Sequence, residues 1–505
     1  MMKQKLKNLF GARGNNHVFW IVFASTIVIT FVGGLIIGLH QSMWFDESFS
    51  VLLATKSVGQ LVHLTSIDVH PPLYYLLLKG WGSLFGWGDL AMRSLSVLFT
   101  AGALAVGGLL IRKMFNARVA IYAMILVMLA PLITRYGFEV RMYSMASFIG
   151  ISATYALYAA WKSKGVTQRK WLIVYAFLVA AGLWTLYTIA LLWIAHVVWI
   201  GYMALRRRSR VKQLVPYIVA YACAGLAFIP WMPVFKAQLS NGALGPIVEP
   251  LKLDQLIGIF SFNTVYQPTA QVTVIQTAIL LAVTGVFIWA VRRAHKQIGK
   301  KHDEIMLLTM YMAVPIIVMM VVSLAKAMYV ERYLSHVAIG MVLLGGVVLA
   351  LAIDTLGRKK WPAYVAIIIV YGAMLVGIGN LISIGNYSFQ HKYTPTAREV
   401  VASIGACPKN AMVLADGPYV QEEIWYYMPH CDVYFTSSQD TLGGGFGPLN
   451  KSELQIKDVD TLTAQHIIYV SYGNPMHPLS SAYTKQDSRT YGSMDVVDYS
   501  RTAAQ

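Results

Sequence analysis

The first long apolar run of the chain, residues 18–39, contains no charged side chain. A helix of about 20 apolar residues crosses the hydrocarbon core of a bilayer, so this run predicts a membrane-spanning helix. It exceeds the core of a signal peptide and lacks a small-residue cleavage pattern, so we keep it as a span. A chain with several such runs is restricted to a helical membrane fold, because lipid leaves no partner for unpaired backbone groups.

Ten further apolar stretches predict additional spans. The least certain region, 171–205, contains Gly182, Thr185 and Thr188, which favour two helices over one long helix. Hydrophobic residues make up 57% of the 505 and charged residues only 13%, against roughly 25% charged in soluble domains, which excludes an ordinary soluble enzyme. The eleven expected spans are 18–39, 94–111, 119–133, 142–161, 171–185, 187–205, 214–231, 272–291, 305–325, 334–353 and 362–383.

Clusters of lysine and arginine occupy alternate connections between these spans, and all of them fall on one side under an eleven-span count. The positive-inside rule makes that side cytoplasmic. The net charge of +18 is therefore mostly a topology signal and does not indicate nucleic-acid binding. We expect a multi-pass protein of the cell membrane with a cytoplasmic N-terminus and an extracytoplasmic C-terminal segment.

The composition changes after residue 384, where roughly half of the 23 acidic residues of the chain are found. Strand-like runs and a helical period predict a small α/β domain there, with strands at 412–415, 432–436 and 466–471 and a helix near 419–428. Cys407 and Cys431 could pair in an oxidising compartment, although spacing alone does not establish it. We divide the chain into a transmembrane domain, 1–384, whose outer loop 40–93 carries the active site, and an extracytoplasmic domain, 385–505.

Two adjacent carboxylates, Asp46 and Glu47, follow the first span. Charged groups near lipid are costly, so such a pair is a candidate functional site. The structural alternative is a pair of solvated residues that cap the next helix.

Four basic residues lie near outer span ends, against the positive-inside pattern: Arg135, Arg141, Lys326 and Arg332. The two turns that hold them each contain one acid, Glu139 or Glu331, so an ion pair within each turn is the structural alternative. That alternative would leave surplus positive charge. Guanidinium groups bind phosphate oxygens in bidentate fashion, so the functional alternative is a site for a lipid-linked phosphate.

The chemistry that these groups support is sugar transfer. A carboxylate can accept the proton of a hydroxyl as it attacks the sugar carbon, and cations stabilise the departing phosphate. A glycosidase is disfavoured, because its two carboxyls lie roughly 5–9 Å apart across the bond, whereas adjacent helical residues point about 100° apart. Glu47 would instead orient the acceptor, cap the helix or bind a cation.

The loop after the pair has no spanning run over 48–67, which predicts helices that lie in the membrane interface. Pro71 and Pro72 then predict a helix start. His70 precedes them and could bond phosphate, support Asp46 or cap the helix.

These residues together resemble the GT-C class of membrane glycosyltransferases, in particular the protein O-mannosyltransferase and aminoarabinose transferase superfamily. The resemblance rests on five motifs that cover roughly residues 20–350. Each motif alone is weak, but the set in this order is fairly specific. They are Phe45-Asp46-Glu47, Asp68-Val-His-Pro-Pro-Leu-Tyr-Tyr75, Leu84-Phe-Gly-Trp-Gly-Asp-Leu-Ala-Met-Arg93, Glu139-Val-Arg141-Met-Tyr143 and Glu331-Arg332-Tyr333.

The resemblance implies an inverting transferase that moves a sugar from a polyprenyl-phosphate donor to an acceptor hydroxyl outside the membrane. By position, Asp46 would be the catalytic base and Glu47 would assist it. The predicted phosphate-binding residues are Arg141, Arg332, Lys326 and Arg135, and the predicted supporting residues are His70, Glu139 and Tyr143. The sugar stays open, as does the choice of a lipid, glycan or protein acceptor. No cofactor is expected to be required, with a divalent cation shared by Asp46 and Glu47 as the alternative.

Two other functions remain. A transporter or flippase for a lipid-linked sugar would also need cations that face phosphate, but it should place charges or broken helices near the middle of the membrane. A catalytically silent receptor would bind the donor without turnover.

Overall fold

The computed structural model describes residues 12–208, 211–240, 253–267, 271–325, 329–357, 360–384, 396–442, 444–450 and 452–502. The chain forms two compact units: the first contains Met1–Leu35 and Ser94–Ile382, and the second contains Ile36–Arg93 and Ser383–Gln505. The α-helices are α1 Ala12–Leu39, α2 Phe45–Thr55, α3 Val58–Ile67, α4 Leu73–Phe85, α5 Asp89–Met114, α6 Ala117–Met128, α7 Pro131–Phe138, α8 Tyr143–Trp161, α9 Gly165–Leu183, α10 Ala190–Arg206, α11 Val211–Phe228, α12 Met232–Ser240, α13 Leu253–Thr264, α14 Val274–Lys300, α15 His302–Ala325, α16 Ser335–Asp354, α17 Trp361–Ile384, α18 Thr396–Ile404 and α19 Pro418–Tyr427.

Each of the eleven expected spans coincides with a helix or with a pair of consecutive helices. Among the described residues, eight helices are long and apolar enough to cross a membrane, and α6 with α7 would make a ninth. Those two helices meet at a bend of 62°. The predicted break after Gly182 is confirmed, because α9 ends at Leu183 and α10 begins at Ala190.

The 19-residue helices α8 and α9 cover two expected spans but fall outside the set of eight. Most of α8 is buried, and it contains Ser, Thr, Gly and Tyr side chains. A membrane helix that packs on other helices is rich in small and weakly polar residues, so its average hydrophobicity is lower than that of a lipid-facing span.

Close packing within the first unit depends on small residues. A Cβ atom at Gly346 of α16 would lie 2.5 Å from the Cα of Ala123 of α6, so no larger residue fits without moving a helix. Small residues let membrane helices approach until their backbones touch, which replaces the hydrophobic driving force that lipid removes.

The second unit contains α2 to α4, α18, α19 and a six-stranded sheet. The predicted strands and helix of the C-terminal segment are confirmed, within one residue at each end. The strands are β1 Met412–Ala415, β2 Val433–Thr436, β3 Gln455–Ile456, β4 His466–Ser471, β5 Tyr483–Tyr491 and β6 Met494–Arg501, in the order β3-β2-β1-β4-β6-β5.

The sheet joins a parallel part to an antiparallel hairpin. Strands β1 to β4 pair in parallel, with Val413 opposite Val433 and Ile468, whereas β6 pairs antiparallel with β4 and β5. A parallel sheet carries its connections across its faces, and α19 is the connection from β1 to β2.

The core of the second unit draws on both of its sequence segments. Val400 of α18, Ile424 of α19 and Phe435 of β2 are buried together with Leu52 of α2. Residues 40–93, which we assigned to the transmembrane domain, belong to the same compact unit as the C-terminal sheet. In the same unit, Cys407 and Cys431 form a disulfide, with their Cα atoms 5.5 Å apart.

Candidate active site

Asp46 lies in the first turn of α2 and is 7% exposed. Its carbonyl accepts a hydrogen bond from the Ser50 hydroxyl at 2.7 Å, within the first turns of the helix. The N-terminus of a helix carries a partial positive charge, which favours a carboxylate at this position. The solvated-cap alternative is therefore not the arrangement observed, because the Asp46 side chain is buried.

Glu47 has a different environment from its neighbour. It forms a two-pronged ion pair with Arg93, at 3.1 Å from Nε to Oε1 and 2.8 Å from Nη2 to Oε2, and both side chains are at most 1% exposed. The backbone N–H of Trp44 also donates to Glu47 at 3.4 Å. These contacts give Glu47 the helix-capping role that the sequence left as one alternative.

Arg93 also fixes the segment that leads into α2. Its guanidinium donates to the carbonyls of Gly38, Gln41 at 2.6 Å and Ser42 at 3.0 Å. A buried guanidinium whose donors meet carbonyls and a carboxylate orients all of them at once. Arg93, Glu47 and the 38–42 backbone therefore hold the start of α2, and with it Asp46.

The C-terminal segment holds the same stretch of backbone from a second direction. Arg398 donates to the carbonyls of Leu39 at 3.0 Å and Gln41 at 3.1 Å. The Tyr427 hydroxyl accepts from the Met43 N–H at 2.8 Å and donates to Asp89 at 3.1 Å. The loop that carries Asp46 is thus bonded to α18 and α19 at several points.

Two adjacent acids of α19, Glu422 and Glu423, are buried in this unit, at 0% and 2% exposed. Glu423 accepts hydrogen bonds from the Phe45 N–H at 2.8 Å and from the Tyr472 hydroxyl. Burial raises the pKa of Glu423 to about 8, although these two hydrogen bonds oppose the shift. Burial also raises the pKa of Glu422 well above its usual range, and the negative charges of Asp46 and Asp68 add to that effect.

The remaining loop residues are also placed by the structure. His70 and Asp68 are 5% and 4% exposed, in the turn before α4. Pro72 occupies the N-cap of α4, as the double proline predicted. Lys79 donates to the carbonyls of Ala54 at 3.3 Å and Lys56 at 2.7 Å, and so closes the C-terminal end of α2.

The first unit contains the other predicted residues. Arg135 forms an ion pair with Glu139 at 2.8 Å, and the two are 2% and 0% exposed. This is the pairing that the sequence held open as the structural alternative for that turn. Arg141, at the other end of the same turn, is 4% exposed.

Tyr143 and Arg332 lie in the same unit. The Tyr143 side chain is fully buried, with its ring centroid 5.3 Å from that of Tyr136. Arg332 belongs to the 3-10 turn Glu331–Leu334, and its guanidinium lies 5.8 Å from the ring centroid of Tyr333. The Thr188 hydroxyl donates to the Tyr333 carbonyl at 2.8 Å, which anchors the turn. Lys326 lies outside the described residues.

An apolar cavity of about 670 Å³ also lies in the first unit. Its lining includes Phe260, Phe287 and Met341, and Arg292 is the charged residue among the lining side chains. Such a surface suits a hydrocarbon rather than a sugar, whose hydroxyls would lose their hydrogen bonds there.

Within the part of the chain that the structure describes, no group of three or more His, Cys, Asp or Glu residues is arranged to hold a metal ion.

Sequence reasoning missed the contributions of Glu422, Glu423, Arg398 and Tyr427. These residues lie more than 300 positions after Asp46, and nothing in their spacing connects them with the loop. A weak signal was present, because Glu422 and Glu423 stand together in the predicted helix of the C-terminal segment. Arg93 is the last residue of one of the motifs, but its pairing with Glu47 was not predicted.

Comparison with known families gives a partial sequence match. Residues 69–233 match the model of dolichyl-phosphate-mannose-protein mannosyltransferases, a region that begins after Asp46 and Glu47. A search of curated protein sequences gave no significant match.

Comparison with solved structures gives matches over nearly the whole chain. The apo structure of ArnT from Cupriavidus metallidurans matches with a TM-score of 0.63 and 12% identity, covering 96% of this chain and 98% of ArnT. ArnT bound to undecaprenyl phosphate matches with a TM-score of 0.60, 12% identity and coverages of 95% and 98%.

A second matching protein is the oligosaccharyltransferase AglB from Archaeoglobus fulgidus. Its complex with an inhibitory peptide and a dolichol-phosphate matches with a TM-score of 0.52 and 11% identity, covering 89% of this chain and 69% of that chain. The archaeal enzyme has also been solved with Zn and sulfate. These matches show that the chain has the GT-C fold, that of a multi-pass membrane protein.

Proposed function

We propose that this GT-C protein is an inverting glycosyltransferase that moves a sugar from a polyprenyl-phosphate-linked donor to an acceptor hydroxyl on the outer face of the membrane. The observation that carries the proposal is Asp46, a buried carboxylate in the first turn of α2, fixed by the Glu47–Arg93 pair beside it. A preorganised carboxylate is the group that removes a proton from an attacking hydroxyl.

Asp46 acts as the base in this proposal. It accepts the acceptor hydroxyl's proton as that oxygen bonds to the sugar carbon and the bond from carbon to the phosphate oxygen breaks. Attack from the face opposite the leaving group inverts the configuration of that carbon. The electron pair of the broken bond leaves on the polyprenyl phosphate, which is a good leaving group without protonation.

Arg141 and Arg332 are assigned to the donor phosphate, with Lys326 as a further candidate and Arg135 held by Glu139. His70, Glu139 and Tyr143 are assigned supporting roles. Two facts favour a polyprenyl donor: the matching ArnT and AglB structures contain undecaprenyl phosphate and a dolichol-phosphate, and the cavity near Phe287 is apolar. Membrane lipids surround the bundle, and the acceptor is a lipid, a glycan or a protein.

The test is a turnover assay. Purified protein is incubated with a panel of polyprenyl-phosphate pentoses and hexoses and with a membrane fraction as the acceptor source. We expect release of polyprenyl phosphate together with labelled product of inverted configuration. Movement of the intact donor between leaflets without release of polyprenyl phosphate would contradict the proposal and favour a flippase. Activity that is lost to a chelator and restored by magnesium or manganese would contradict the proposed metal independence.

Replacing Arg141 or Arg332 by alanine should raise KM for the donor. A hydrogen bond to a charged group is worth about 1.5–3 kcal/mol, so we expect a rise of roughly 10- to 100-fold for each arginine. The matched control is Arg118→Ala, which removes an arginine that is 51% exposed and paired with Asp354. An unchanged donor KM in both Arg141→Ala and Arg332→Ala would contradict the proposal that these arginines bind the donor phosphate.

The proposed orientation places the disulfide Cys407–Cys431 in an oxidising compartment. In a Cys223→Ala background, both cysteines should resist alkylation in extracts of intact cells until a reductant is added. Closing a loop of 24 residues stabilises a fold by roughly 3–4 kcal/mol, so Cys407→Ser should lower the melting temperature. Ready alkylation of both thiols without reductant would argue that residues 385–505 face the cytoplasm.

A further inference from the structure

Glu422 of α19 is a carboxyl group that the arrangement described so far does not use. It is completely buried, and neither of its side-chain oxygens has a hydrogen-bond partner among the described residues. The next residue, Glu423, is engaged at both oxygens, by the Phe45 N–H and the Tyr472 hydroxyl. Consecutive helical residues point about 100° apart, so the two acids face different surroundings.

The surroundings of Glu422 are those of the proposed base. The charged groups that act most strongly on it are Asp46 of α2, Asp68 after α3, Glu423 of its own helix and Lys56 at the end of α2. Three of these four groups are acids. Its helix α19 packs against α2, and the adjacent Glu423 accepts a hydrogen bond from the N–H of Phe45, the residue before Asp46, so Glu422 and Asp46 lie in the same part of the second unit.

The chemical state of Glu422 follows from this environment. Burial and the acids around it raise its pKa well above the usual range, and Lys56 opposes the shift. A protonated carboxyl has one O–H donor and retains acceptor capacity, whereas a carboxylate such as Asp46 can only accept. The two groups together match a hydroxyl, which donates one hydrogen bond and accepts another.

An unpartnered buried polar group is unfavourable for folding. In other proteins, residues that lower stability in this manner are characteristic of binding and catalytic sites, where they are retained for function. A metal ion is not favoured as the missing partner, because no described group of three or more His, Cys, Asp or Glu side chains has a metal-holding arrangement.

We propose that Glu422 is an acceptor-binding residue: its carboxyl hydrogen-bonds the oxygen of the hydroxyl group that Asp46 deprotonates. This inference rests on the proposed function. In the reaction the acceptor proton moves to Asp46, the acceptor oxygen bonds to the sugar carbon, and Glu422 keeps its own proton throughout. A helix of the C-terminal segment would then take part in the choice of acceptor.

Two variants of Glu422 separate a binding role from a structural one. Glu422→Met fills the same space without polar atoms, so we expect a higher melting temperature of the full-length purified protein and at least a tenfold loss of transfer. Glu422→Gln keeps a donor group, its NH2, and an acceptor, its carbonyl oxygen, so transfer should stay within threefold of wild type. The control is Glu453→Met, at an exposed acid of the same unit, which should change neither quantity.

The assay uses the donor that the wild-type protein turns over and a membrane fraction from cells that carry only the Asp46→Asn variant. The loss in Glu422→Met should be relieved by more membrane fraction but not by more donor. Three results would overturn the inference: full transfer by Glu422→Met, a lower melting temperature of Glu422→Met, or an inactive Glu422→Gln. Absence of transfer by the wild-type protein with every donor would overturn the proposed function itself.

Discussion

Replacing Asp46 by asparagine is expected to lower the rate of sugar transfer by about 10²- to 10⁴-fold, the usual contribution of a general base. The amide has nearly the same shape as the carboxylate but does not accept the proton of the acceptor hydroxyl. The measurement is the initial rate with saturating donor, in protein purified from membranes. Donor KM should change little, because Asp46 is assigned to the acceptor and not to the phosphate.

The control for this prediction is Asp440→Asn, at a carboxylate of the same unit that is 85% exposed and paired with Lys457. It removes the same charge from a solvated surface and should leave the rate unchanged. Equal expression and equal melting temperatures of the two variants would exclude misfolding as the cause of a loss. Full activity of Asp46→Asn would exclude Asp46 as the catalytic base.

Breaking the buried pair between Glu47 and Arg93 should have the largest effect on stability. Removing one partner of a buried ion pair leaves an uncompensated charge and typically costs about 3–5 kcal/mol. We therefore expect Glu47→Gln and Arg93→Met each to lower the melting temperature strongly, as measured by thermal unfolding in detergent. Transfer should fall as well, because the start of α2 would no longer be fixed.

The double variant Glu47→Gln/Arg93→Met shows whether the two side chains stabilise the protein together or independently of each other. It leaves no unpaired charge, so it should destabilise by less than the sum of the single variants. Recovery should be incomplete, because Arg93 also donates to the carbonyls of Gly38, Gln41 and Ser42. The exposed pair Lys457–Asp440 is the control, where disruption should cost at most about 1 kcal/mol. Fully additive losses would argue against coupling between the two buried side chains.

Local patterns predicted much of the fold because they reflect local physics. The predicted strands at 412–415 and 466–471 match β1 and β4, whose apolar residues enter the core. The hairpin of β5 and β6 was missed, since most of β5 is polar and exposed. Such a strand lies at the sheet edge and pairs on one side only, so its sequence does not show the apolar alternation of a buried strand.

The candidate site was predictable only in part. Asp46 and Glu47 follow an apolar span, where charged side chains carry a free-energy cost. The sequence alone therefore identified them as a candidate site. Their separate roles were not visible, because Arg93 is the residue that engages Glu47 and it lies 46 positions away. The pairing of Arg135 with Glu139, four residues apart at the C-terminal end of α7, was the kind of contact that sequence alone can suggest.

The sequence by itself determined that the chain is a helical membrane protein and where its helices lie. It also identified the basic residues that the positive-inside rule does not explain. These properties depend on composition and on short periodic patterns. The tertiary structure alone decided that loop 40–93 packs with the C-terminal sheet and that Glu422 and Glu423 lie in the same unit as Asp46. Contacts between residues so far apart depend on how the whole chain packs, which no local pattern encodes.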